Sequence, residues 1–131
     1  MVKLKNIDLT SNPLSIGESV TVGNNRTIER VDTDYRNPYE LHYKLHGHAI
    51  AHVKRFHNGV IQVHIDDCGY VTSTTRNALK DLFDALDLRV GVSIAGGKLT
   101  ATSFDAFGHE IKTIESGQAL NFNGGLNPFS T

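Results

Sequence analysis

The sequence predicts an α+β fold: a single antiparallel β-sheet of two or more hairpins, packed by one amphipathic helix. Three observations carry this expectation. Apolar and polar residues alternate with a period of two through the centre of the chain. Leu79, Leu82, Phe83 and Leu86 then recur at i, i+3, i+4 and i+7, which is the spacing of a helix stripe. After them, Gly96-Gly97 divides two further alternating runs, as the type I′ turn of a second hairpin would.

The elements follow in order. Residues 1–37 are punctuated by "SNP", "VGNN" and "RNP", which leaves two short strand candidates at 19–22 and 27–31. They read as an irregular N-terminal extension to a core at 38–122. In that core Leu41, Tyr43 and Leu45 alternate with His42, Lys44 and His46. Next comes "AIAHVKRFHNGVIQVHID". A three-residue loop at His57-Asn58-Gly59 puts Gly59 in the left-handed position such loops need, and Phe56 opposite Val60. In that register Ala51, Val53 and Arg55 share a face with Ile61, Val63 and Ile65, and His52, Lys54, Gln62 and His64 share the other. A two-residue Asn-Gly turn would mix apolar and polar residues on both faces, so the alternation selects the longer loop. Beyond the helix, Val92 and Ile94 pair with Leu99 and Ala101, "DAFGHE" turns, and "EIKTI" forms a strand. The tail, "NFNGGLNPFST", is turn-rich and expected to pack loosely, with 123–131 outside the core.

The 131 residues suffice for one domain with a modest core. With 39% hydrophobic and 21% charged residues the chain reads as globular. No apolar run has the length of a membrane span, and "MVKLKNIDLT" lacks the apolar core of a signal peptide, so a cytoplasmic protein is expected. Net charge is −1, with eight basic and eight acidic residues in 1–67 and five and six in 68–131. That balance argues against bulk binding to duplex DNA, though not against a local basic site. Cys68 is the one cysteine, which excludes internal disulfides and thiolate zinc clusters. Its neighbours Asp67 and Gly69 suit an inert strand-end thiol better than a nucleophile.

The stretch with most chemical content is "DCGYVTSTTRNALKDLFDAL" at 67–86. The first turn of a helix leaves backbone N–H groups unpaired at its positive end. Ser73 or Thr74 suits the N-cap, no Glu or Gln stands three residues after either, and the first acid is Asp81. Arg76 instead adds positive charge there. Two readings stand side by side. In one, Thr72, Ser73, Thr74, Thr75 and Arg76 form an anion site, with Tyr70 placed to stack on a base. In the other, the entrance is an ordinary Ser/Thr cap and Arg76 pairs with an acid elsewhere.

Six of the seven histidines fall between 42 and 64. His46 and His48 would point to one side of a strand, and His52 and His64 would face each other across the hairpin. These four are the metal-ligand candidates. No acid sits where a metal-binding barrel motif of the His-x-His type would need one, and Gly47 interrupts the strand pattern, so no metal or other cofactor is assigned. Walker, G-x-S-x-G and H-E-x-x-H elements are absent, and no catalytic residue is assigned.

"LHGHAIAHV" followed by "CGYVTSTTRNALKDLFDALDLRVGVSIAGGKLTATSFDAFGHEI" resembles a family of small uncharacterised proteins of tailed bacteriophages. The shared elements are His46-Gly47, a Gly69-Tyr70-x-Thr72-x-Thr74-Thr75-Arg76 helix entrance, and a glycine-turned hairpin at Gly96-Gly97. Tyr70 stands where that pattern more often has tryptophan. The likeness covers roughly 42–122. It implies a phage origin and the one-helix fold, and no activity. The function expected is that of a phage accessory protein, for host takeover or counter-defence, that works by binding. Its partner would be a host protein or a phosphate-bearing small molecule or nucleic acid, not a membrane, and the sequence leaves room for a homo-oligomer. The alternatives are a small histidine-dependent phosphodiesterase or nuclease, with His46, His64, Asp66 or Asp67 as base, and an inhibitor that docks through an edge strand.

Overall fold

A computed structural model describes residues 17–31, 39–56 and 59–123. Among them the chain order is β1 Ser19–Gly23, β2 Arg26–Arg30, β3 Tyr39–Leu45, β4 His48–Arg55, β5 Val60–Ile65, α1 Ser73–Ala85, β6 Val90–Ala95, β7 Lys98–Phe104, β8 Glu110–Glu115 and β9 Ala119–Asn123. The class is α+β with antiparallel strand pairing, as the alternation predicts. The expected single sheet is in fact two. A six-stranded sheet has the order β1-β2-β3-β4-β5-β9, and β6-β7-β8 form a separate three-stranded sheet. The division has a simple cause. The free edge of β5 is taken by β9, with Val63 opposite Leu120, so the second hairpin cannot extend the first.

Strand β9 reaches into the first residues of the turn-rich stretch "NFNGGLNPFST". Residues 119–123 pair along β5, and Leu120 is buried. Likewise β1 and β2 belong to the main sheet, because Ile28 pairs with Tyr43 and is fully buried. They are part of the core rather than an extension to it. The "SNP" and "RNP" stretches, His57, Asn58 and the chain beyond 123 lie outside the described residues.

The central hairpin has the expected register. His52 pairs with His64, Val53 with Val63 and Arg55 with Ile61. Gly59 has φ 88° and closes the loop by donating its N–H to the Phe56 carbonyl at 2.9 Å. In the second hairpin Val92 faces Ala101 and Ile94 faces Leu99. Gly96 and Gly97 have φ of 59° and 76°, the positive pair that a type I′ turn requires.

Between β3 and β4 the pairing is interrupted. Tyr43 pairs with Ala51 but Lys44 pairs with Ala49, so Ile50 is the extra residue of a β-bulge. Ile50 and Ala51 are consecutive yet both buried, which a regular strand would not allow.

Helix α1 buries Ala78, Leu79, Leu82 and Phe83 together with Thr75. It packs chiefly against β6 and also reaches β3 and β4. One continuous core therefore joins Leu41, Tyr43 and Val63 of the main sheet to Leu99, Ala101 and Ile114 of the smaller one through the helix. Arg26 Nη1 of β2 pins the helix flank by an ion pair to Asp81 Oδ2 at 2.6 Å.

Candidate functional site: a cleft at the helix entrance and a histidine row

The helix entrance is built from a turn that orders itself. Asp66 Oδ1 accepts the Cys68 N–H and Asp67 Oδ1 accepts the Gly69 N–H, both at 2.8 Å. These Asx-type bonds let the chain reverse through Cys68 and Gly69 at φ 53° and 86°. Thr72 then adopts an extended conformation and caps the helix, accepting the Thr75 N–H on Oγ1 at 3.2 Å. The cap is thus Thr72, one residue before the expected candidates. The first turn contains no acid. Ser73 N–H and Thr74 N–H bond to no other group among the described residues.

Beside this entrance lies a cleft of about 340 Å³, lined by Leu45, His46, His48, Ile50, Tyr70, Thr72, Thr74 and Thr75. Its buried apolar residues are Leu45 and Ile50. The His48 and Tyr70 rings stand 5.4 Å apart at 40°, and Tyr70 is 54% exposed. Four of the six anion-site residues expected from sequence therefore border one cleft: Tyr70, Thr72, Thr74 and Thr75. Thr75 is buried, and its hydroxyl lies 3.2 Å from that of Thr72. Ser73 and Arg76 do not line the cleft. Arg76 Nε donates to the neighbouring Asn77 Oδ1 at 3.4 Å, so it lends field rather than contact. His46 and His48 were not expected here. The first occupies the β3–β4 turn at φ 53° rather than a strand, which removes the same-side geometry read from the sequence.

On the opposite face of the main sheet three histidines form a row. His42 pairs with His52 and His52 with His64 across β3, β4 and β5. The His42 and His52 rings stack at 4.0 Å and 13°, and His52 and His64 stand 5.6 Å apart. The three are half-buried rather than fully wet. His42 Nε2 lies 2.9 Å from Glu40 Oε2. An acid therefore does stand beside the histidines. Burial holds the His52 pKa below the ordinary imidazole value, and its neighbours His42 and His64 act in the same direction. His64 donates from Nε2 to the Gly117 carbonyl at 3.2 Å, and its Nδ1 is buried without a partner among the described residues.

Sequence reasoning missed Glu40 and His42. Their signal was present, since His42 has the outer-face parity in the β3 alternation. Placing them beside His52 requires the register across the β3–β4 turn, and the bulge at Ile50 conceals it.

The other reactive groups are occupied. Burial pushes the Cys68 thiol pKa up, and Asp66 and Asp67 add to it. The thiol donates to the Ala49 carbonyl at 3.3 Å, which suits the inert role expected. Both aspartates hold turn amides through one carboxylate oxygen each. Among the described residues, no helix is long and apolar enough to cross a membrane. Comparison with family models, with curated proteins and with solved structures yields no match for this chain.

Proposed function

We propose that this chain is a phage accessory protein that works by binding, and that its cleft receives a nucleotide-like ligand with an aromatic base and a phosphate. The phage assignment rests on the resemblance of the helix entrance and the hairpin motifs. The observation that carries the ligand class is the convergence of an exposed Tyr70 face with His48 and Thr74, whose amide is unused, in one cleft at the helix entrance. An aromatic platform suits any base, because every base has a π-face. Helix-end amides suit a phosphate, and the absence of acids in the first turn leaves the positive end uncompensated. Binding is favoured over catalysis because no carboxylate is among the described residues that line the cleft.

Calorimetric titration with adenosine monophosphate and, separately, with inorganic phosphate tests this reading. Tyr70→Ala should weaken nucleotide binding by about 1–3 kcal/mol and leave phosphate binding intact. Arg76→Glu should weaken both while stabilising the fold by about 0.3–1 kcal/mol, because it puts an acid into the first helical turn. Absence of binding by either ligand at millimolar concentration, or nucleotide binding indifferent to Tyr70→Ala, would remove the cleft as the site.

A further inference from the structure

We infer that the outer face of the main sheet holds a divalent transition metal on Glu40, His42 and His52, a site separate from the cleft. Each of the three residues offers one ligand atom, and these atoms all lie within 4.8 Å of one another. Tetrahedral bonds of about 2.0–2.2 Å to imidazole and carboxylate place ligand atoms about 3.3–3.6 Å apart. Small side-chain rotations therefore close the set, with no movement of the strands.

The backbone supports the arrangement. Glu40 and His42 are i and i+2 on β3, so they share a face, and His52 is the direct cross-strand partner of His42. An ordinary imidazole–carboxylate pair accounts for Glu40 and His42 at 2.9 Å. It does not account for His52, whose ring stacks on His42 at 4.0 Å and forms no hydrogen bond among the described residues. Two imidazoles held in parallel with a carboxylate beside them make a nitrogen-rich donor set. Such a set suits zinc, nickel, cobalt or copper, whereas magnesium and calcium need mostly oxygen. The surrounding charges do not forbid it. Lys44 is neutralised by Glu29 at 3.0 Å, and Lys54, opposite Glu40, has a long stem that can carry its charge aside. Three protein ligands leave a coordination position for water or an incoming anion.

The test uses the full chain freed of metal by a chelator, then titrated with zinc and with cobalt. One ion per chain is expected, with cobalt giving a visible d–d spectrum. Imidazole ¹⁵N resonances of His42 and His52 should shift on zinc addition, and those of His46 and His48 should not. His42→Ala and His52→Ala should each weaken binding by at least about ten-fold, while the His46→Ala/His48→Ala double variant binds as the parent does. Should a histidine variant fail to fold, the parent's imidazole spectrum decides the matter without mutation. No uptake at millimolar metal overturns the proposal, as do shifts confined to other histidines or weak binding of several ions that survives both single substitutions.

Discussion

The two faces of the main sheet are made by the same strands and have opposite characters. Toward the helix, Leu41, Tyr43, Val53 and Val63 are closed off from solvent. Away from it, the intervening positions carry Glu40, His42, His52, Lys54 and His64, all half-buried. One hydrogen-bond register sets both. A slip of one residue would turn every apolar side chain outward, which the core forbids. The apolar face therefore enforces the alignment of the histidines, which need contribute nothing to it themselves. The inner face specifies where strands lie, and the outer face is left available for chemistry.

Three substitutions measure how far this separation holds. The largest effect should come from Phe83→Ala, which empties a fully buried site where the helix joins the core. A loss of about 3–5 kcal/mol is expected from urea denaturation, and an unchanged midpoint would mean that the inner face does not depend on the helix.

Tyr43→Phe probes a buried polar group of the inner face. The Tyr43 hydroxyl is buried without a hydrogen-bond partner among the described residues. The charge of the nearby Arg26 guanidinium acts on it against the effect of burial. Removing an unsatisfied buried hydroxyl should raise stability by about 1 kcal/mol. Burial also pushes the Tyr43 pKa from 10.0 up to about 12. The folded state thus favours the neutral phenol. Its contribution is complete below pH 10.0 and is lost as pH rises toward about 12, where the unfolded chain alone ionises freely. The parent should weaken across that alkaline window, and the Phe variant should weaken less. Parallel pH profiles for the two proteins would place the hydroxyl in water.

The smallest effect should come from the outer face. In metal-free protein, His52→Thr keeps a β-favouring residue and should change stability by no more than about 0.5 kcal/mol in a thermal melt. A cost well above that would show the row to be structural and would erase the distinction between the faces.

Much of the inner face was legible in the sequence. The stripe Leu79, Leu82, Phe83, Leu86 and the alternation through 51–65 are local patterns, and both hairpin turns announce themselves by glycine. What was not legible depended on distant pairing. The β5–β9 pairing joins Val63 to Leu120, and "NFN" has too little alternation to announce a strand. The helix entrance was legible in composition but not in shape. Its hydroxyls could be counted, whereas the His48 and Tyr70 approach needed the β3–β4 turn to be placed. The metal cluster was illegible for the same reason, since its three ligands come from two strands whose offset no local pattern reveals.

That offset has a further consequence. His48 and His52 are four residues apart, and in an unbroken strand they would point the same way. Ile50 acts as a half-period delay line. His48 stands opposite Leu45 and His52 opposite His42, so the two imidazoles emerge on opposite surfaces, one beside the cleft and one in the row. The strand thereby carries two separate addresses on a single thread, and the spacer between them is one residue of chain length rather than any particular side chain. Point substitutions at Ile50 would leave both addresses in place. Deleting Ile50 would remove the bulge and leave the two histidines three residues apart in a regular strand, still on opposite surfaces.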